Sequence, residues 1–148
     1  MKHRSAVTIY ERNFTRLQAL MGQPLASLKE HTVYRLRAGG FMDLVVEVLL
    51  ASPENGTLIL SLCHYFEQNG DLCQDPEMEV RVFLPNGERP GTVEALTFQL
   101  AIPPIYQRVY PEPGKVIPLL RQQLNIFLGQ WLRNLKEQGH RLVTGGES

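Results

Sequence analysis

The sequence predicts an α+β fold: a single antiparallel sheet of five or six strands in meander order, with an N-terminal and a long C-terminal helix packed on one face. Three observations carry this. Apolar residues recur at helical spacing near both ends of the chain, Tyr10, Phe14, Leu17 and Met21 in one run, Leu120, Leu124, Phe127, Leu128, Trp131 and Leu135 in the other. The middle of the chain alternates apolar with mixed or polar residues at period two. Short turn clusters rich in Gly, Pro and Asn join these runs, and short connections make neighbouring strands antiparallel.

The first helix is placed at about 9–21. Thr8 is its N-cap and Glu11, three residues on, completes a capping box. Gly22 and Pro24 stop it, and a short helical turn fits 25–30. The first strand, 32–38, is followed by Gly39-Gly40 as a tight turn. In the second, 41–51, Met42, Leu44, Val46, Val48 and Leu50 form the apolar side, with Asp43, Val45, Glu47 and Leu49 opposite. The third, 57–66, puts Leu58, Leu60, Leu62, His64 and Phe66 on one face and Ile59, Ser61, Cys63 and Tyr65 on the other. Asn69-Gly70-Asp71 breaks the run, and Asp75-Pro76 reads as a turn dipeptide. Met78, Val80, Val82 and Leu84 mark the fourth strand, 92–101 the fifth, and 105–110 a shorter sixth. The last helix covers about 115–138. Pro118 is tolerated in its first turn, Gly139 sits past its end, and Arg133 and Lys136 suit its negative pole. A single domain over 1–148 is expected, with an ordered core at about 8–141 and a mobile tail at 143–148.

Composition is that of a globular chain, 43% hydrophobic and 20% charged over 148 residues. Net charge is zero but unevenly spread: residues 1–37 hold seven basic and two acidic side chains, and 43–94 hold two basic and ten acidic. A pI near 6.9 speaks against a dedicated nucleic-acid binder. No apolar run approaches the roughly 20 residues that span a bilayer, and the N-terminus lacks the apolar stretch of a signal peptide. Cys63 and Cys73 follow no CxxC spacing and read as reduced thiols in a cytoplasmic protein.

The densest polar stretch is 64–78. Its candidate binding residues are His64, Glu67, Gln68, Asn69, Asp71 and Asp75. His64 with Glu67, Asp71 and Asp75 also has the makings of a metal or acid–base cluster. The bland reading is a core-edge histidine beside ordinary turns, and the spacing matches no known metal or deaminase signature. Cys63 points away from His64, which makes a Cys–His dyad geometrically poor. No Gly-rich phosphate loop, GxSxG or HExxH occurs, so neither a cofactor, a metal nor a catalytic residue is assigned. Trp131 reads as core. Tyr106, Arg108 and Tyr110 share a strand face suited to a protein interface. Arg12, Arg16, Arg35, Arg37 and Arg108 are the residues a nucleic-acid accessory role would need on one surface. Ile59, Cys63, Tyr65 and Phe83, opposite the main core, suggest a homodimer.

Two resemblances add to this. Residues 10–21, 124–133 and Met78-Glu79-Val80-Arg81-Val82-Phe83 resemble the YqiB-like family of small bacterial proteins of unknown function. That family's Tyr-His-Asp turn is replaced here by Leu84-Pro85-Asn86-Gly87, so no site is carried over. Residues 64–78 resemble a motif of bacterial mobile-element domains, His-Tyr-x-Glu-Gln-Asn-Gly-Asp-Leu-Met-x-Asp-Pro-Glu-Met, with Cys73 where Met is usual. The resemblance implies a bacterial chain in a mobile-element context. The reading favoured is an interaction or regulatory module with a protein partner, acting through 64–78, rather than an enzyme.

Overall fold

The computed structural model describes residues 6–68, 71–101 and 103–147; the side chains of 65–68, 71–75 and 144–147 lie outside that description. In chain order the elements are α1 (Ile9–Met21), a 3₁₀ turn (Leu25–Ser27), β1 (Val33–Arg37), β2 (Leu44–Ser52), a 3₁₀ turn (Pro53–Asn55), β3 (Thr57–Gln68), β4 (Asp71–Phe83), β5 (Thr92–Ala95), β6 (Thr97–Leu100), β7 (Ile105–Arg108), α2 (Pro118–Glu137) and β8 (Arg141–Glu147).

The fold is α+β with two helices and one antiparallel sheet, but the sheet has eight strands rather than five or six. Its order is β7-β6-β4-β3-β2-β1-β8, with β5 also paired to β4. Two differences account for the count. The expected fifth strand is broken at Leu96 into β5 and β6. There the Thr97 hydroxyl takes the place of a backbone acceptor and receives the Glu79 amide at 3.0 Å. Arg141–Glu147 forms a further strand at the end of the chain, paired with β1. The helix that precedes it returns the chain to the far side of the sheet, so β8 docks beside β1 and not beside β7.

Helix α1 forms where its capping signal lies. The Glu11 amide donates to the Thr8 hydroxyl at 3.2 Å, satisfying one of the first-turn N–H groups that have no partner within the helix. Gly22 closes the other end at φ 71°, a left-handed geometry that costs other residues strain. In α2, Pro118 occupies the first turn, where its missing N–H is no loss.

Leu17, Leu20 and Met21 of α1, with Leu124, Leu128, Leu132 and Leu135 of α2, join a core cluster with Leu44, Val46, Val48, Leu60, Leu62, Met78 and Val80 of the sheet. Each such side chain contributes about 1.5–3 kcal/mol of transfer free energy when fully buried. The two helices also touch each other. Gly129 leaves room for Asn13 and Arg16, whose amide and guanidinium donate to the carbonyls of Asn125 (3.2 Å) and Gly129 (3.4 Å). Asn125 in turn accepts the Ala95 amide at 2.9 Å, tethering α2 to β5 through a buried side chain.

The expected apolar side of the second strand fails at both ends: Met42 is exposed because it precedes β2, which starts at Leu44, and Leu50 is exposed because of a bulge. Val48 pairs with Leu60 but Leu50 pairs with Ile59, so Leu49 is an extra residue in β2. This bulge reverses the facing of the residues beyond it. Leu50, expected inside, is 40% exposed, and Ala51 packs on the core instead. On the opposite face Cys63 and Ser61 are buried and Ile59 is half-buried, while Phe83 is exposed. Cys63 therefore offers no open surface for a dimer, and Tyr65 lies outside the described side chains.

Candidate functional site

The stretch 64–78 spans the end of β3 and the start of β4. It is held by backbone pairing, Tyr65 opposite Gln74, Phe66 opposite Cys73, Glu67 opposite Leu72 and Gln68 opposite Asp71. Beyond these pairs the sheet stops. The last residue of β2 in register with β3 is Leu44, opposite His64, and β4 meets β6 at Glu77. Among the described residues, 65–68 and 71–74 thus pair only with each other, as a two-stranded arm extending past the sheet.

A second bulge marks its base. Cys63 pairs with Glu77 and Tyr65 with Gln74, so one residue of β3 is set against two of β4, Asp75 and Pro76. Asp75-Pro76 is therefore not a turn but a bulge within a strand, a position where proline's lack of an N–H is tolerated. Bulges bend a strand and increase its twist, and this one lies where the pairing with β2 and β6 ends.

His64 stands at the same level on the core side, buried. The Trp131 indole N–H donates to its Nε2 at 3.2 Å, and its Nδ1 lies 2.9 Å from the Asp43 carbonyl oxygen. One nitrogen accepts and the other faces an acceptor, which selects the neutral ring with its proton on Nδ1. In this geometry His64 brackets α2 and the residue preceding β2 to the arm's base. Its ring centroid is 5.5 Å from that of Trp131 and 5.9 Å from that of His140. His140 is also buried, its nitrogens 3.1 Å from the Leu135 carbonyl oxygen and 2.8 Å from that of Met42. The Asp43 carboxylate pairs with Arg35 at 3.1 Å and Arg37 at 3.5 Å.

Of the six candidate binding residues, His64 alone has a described side chain; those of Glu67, Gln68, Asn69, Asp71 and Asp75 lie outside the described residues. The backbone places Gln68 and Asp71 at the far end of the arm and Asp75 at its base. Sequence reasoning missed His140 and Asp43 at this base. The only signal for His140 was its position after Gly139, where a chain leaving a helix folds back on the last turn.

The other candidate groups are dispersed. Trp131 is core, as read. Tyr106 is 57% exposed on β7, whereas the Tyr110 hydroxyl donates to buried Glu94. Burial first, then that bond and the Glu94 charge, raises the Tyr110 pKa above its ordinary value, against the opposing pull of Arg121 and Arg81. The basic residues do not share a surface. Arg35 and Arg37 sit on β1 with Asp43, Arg12 and Arg16 on α1, and Arg108 on β7, five strand spacings or about 24 Å from β1.

Behind the sheet, Ser61 donates to Glu77 at 3.0 Å, and Glu47 and Glu79 both pair with Ser61 in register. Burial, and secondly the Glu77 charge, pushes the Glu79 carboxyl up from its usual range. Among the described residues no three His, Cys, Asp or Glu side chains converge as a metal site. None of the described helices is long and apolar enough to cross a membrane.

A groove of about 530 Å³ lies between the first turns of the two helices. Its walls are Ile9, Val116, Pro118 and Ile126, with Arg12 and Arg121 among the residues lining it. Arg121 is held in place by Glu94, 3.3 Å from its Nε, and lies over the Tyr10 ring.

A family model described as a domain of unknown function, DUF6908, matches residues 12–141. It shows neither a YqiB-like relationship nor a mobile-element link. No curated protein and no solved structure matches the chain.

Proposed function

The chain belongs to the DUF6908 family of domains of unknown function, and we propose that it is an interaction or regulatory module that engages a protein partner through the arm formed by β3 and β4. The observation that carries this reading is the pairing pattern. Residues 65–68 and 71–74 hydrogen-bond only with each other among the described residues, so both outer edges of the ribbon present backbone donors and acceptors. Such edges recognise extended protein segments by strand addition. Gln68, Asn69, Asp71 and Asp75 supply polar contacts in this role. His64 holds the base rigid, since both ring nitrogens are engaged within the fold.

Alanine at Asp71 and Asp75 together tests this. The expected result is an unchanged melting temperature and loss of the partner retained by the wild-type chain. Unfolding of the double variant makes the segment a structural turn only, and full retention of the partner removes the segment from the interface. Either result overturns the proposal.

A further inference from the structure

We propose that β7, an outer strand of the sheet, pairs antiparallel with β7 of a second copy of this chain about a two-fold axis. The inference uses a different edge from the β3–β4 arm and stands independently of it. β7 closes one end of the sheet, hydrogen-bonded to β6 and to no other described strand. All of its residues are exposed, Ile105 at 39% and Tyr106 at 57% among them. No proline and no bulge interrupts 105–108, devices that commonly blunt an open edge.

The register identifies the free backbone groups. Thr97 faces Arg108 and Phe98 faces Gln107, and the Val109 amide continues this register by donating to the Leu96 carbonyl at 2.8 Å. Backbone direction alternates along a strand. Gln107 and Ile105 therefore turn their N–H and C=O groups toward β6 as Val109 turns its N–H, and Tyr106 and Arg108 turn theirs outward. This outward edge is bounded at both ends. Pro104 has no N–H to offer, and the Val109 carbonyl already accepts the Ile117 amide at 2.9 Å.

A second copy matches so short an edge. In an antiparallel pair centred on Gln107, Tyr106 of each copy lies opposite Arg108 of the other. Each outward residue then exchanges both backbone bonds with its opposite, and no outward group is left over. Centring the pair on Tyr106 instead sets Arg108 against Pro104 and loses a bond for want of a donor. The side chains favour the same register. Each Arg108 guanidinium meets a Tyr106 ring rather than another guanidinium, and the two Gln107 amides face each other with a donor and an acceptor apiece.

Sedimentation velocity over a wide concentration range tests this on the wild-type chain, Tyr106→Pro and Tyr106→Ala, with melting by circular dichroism as the check on folding. Proline at 106 removes an outward N–H and spares the bonds to β6. The expected result is a concentration-dependent wild-type dimer, a monomeric Tyr106→Pro chain with the wild-type melting temperature, and a Tyr106→Ala dimer weakened about tenfold by loss of the aromatic–cation pairs. Cysteine pairs read the register in a Cys73→Ser background. Gln107 meets its own copy as a non-hydrogen-bonded pair, with Cα atoms about 4.5 Å apart, inside the disulfide range of about 4.4–6.8 Å. Gln107→Cys should therefore cross-link under mild oxidation, and Gln99→Cys, exposed on β6, should not. A wild type that stays monomeric, even one whose edge captures a foreign strand, overturns the inference. So does a folded Tyr106→Pro chain that dimerises like the wild type, or a Gln107→Cys chain that cross-links no faster than Gln99→Cys. If Tyr106→Pro does not fold, Tyr106→Ala and the cysteine pair decide: an Ala dimer of wild-type strength or unselective cross-linking overturns it.

Discussion

The indole N–H of Trp131 on α2 donates to Nε2 of His64 on β3 across 3.2 Å of buried space, and this bond dictates the state of the histidine. With Nε2 accepting, the ring proton belongs on Nδ1, where it meets the Asp43 carbonyl at 2.9 Å. One aromatic pair thereby links the C-terminal helix, the strand that enters the arm and the residue preceding β2.

Trp131→Phe keeps an aromatic ring but removes the donor. The His64 nitrogen it served is then left in a buried setting without that partner, which costs about 1–3 kcal/mol. Urea unfolding of the variant should show this loss. Nitrogen chemical shifts of the wild-type imidazole should report the tautomer protonated at Nδ1. A wild-type ring protonated at Nε2 instead would contradict the geometry.

Gly91 lies under the Phe14 ring of α1, and a Cβ built there comes within 2.6–2.7 Å of three ring carbons. Phe14 is itself buried and has little space to retreat. Gly91→Ala should therefore destabilise by about 1–3 kcal/mol through overpacking. Gly39→Ala is the control: nothing lies within 4 Å of the added methyl. It should stay within about 0.5 kcal/mol of wild type. Equal midpoints for the two variants in denaturant would refute the close approach.

Glu79 titrates above the ordinary glutamate value of 4.5 because burial and the neighbouring Glu77 disfavour its charge. The folded chain then holds this proton at pH values where the unfolded chain has released it. Its contribution to stability is greatest at acid pH and declines as pH rises from 4.5 through the raised folded value. Glu79→Gln removes the penalty. The variant should be more stable than wild type at neutral pH, with the advantage shrinking as pH falls to 4.5 and below. Because Glu79 is only half-buried, solvent screening keeps the gain to a few tenths of a kcal/mol, roughly the scale of surface electrostatics. Melting temperatures measured across acid to neutral pH would show it, and an advantage that grows toward acid pH would reverse the assignment.

Much of the fold was legible in local pattern. The boundaries of α1 agree with the N-cap read at Thr8 because its bond to the Glu11 amide closes within three residues. The inward faces of β2 and β3 agree at Leu44, Val46, Val48, Leu58, Leu60 and Leu62 because alternation alone sets side-chain direction. Leu50 departs from the pattern because a bulge is a property of two strands in register, not of one. Asp75-Pro76 misled for the same reason. The dipeptide suits a turn or a bulge equally well, and the register with Cys63 and Tyr65 decides between them. At the candidate site, the buried setting of His64 at the core edge was readable from its place after Leu60 and Leu62. Its partners were not, since Trp131 lies 67 residues away along the chain.

By itself, the sequence determined the two amphipathic helices with their caps, the antiparallel character of the strands and the identity of the main core face. Each follows from spacing within a few residues, where sterics and hydrogen bonding act locally. The tertiary structure alone decided that the chain's end becomes an eighth strand beside β1, that the central hairpin outruns its neighbours at a bulge, and that Trp131 and His140 close around His64. Those features depend on where one strand ends relative to another and on which distant donor reaches a buried acceptor. Such relations come into being only when the elements pack.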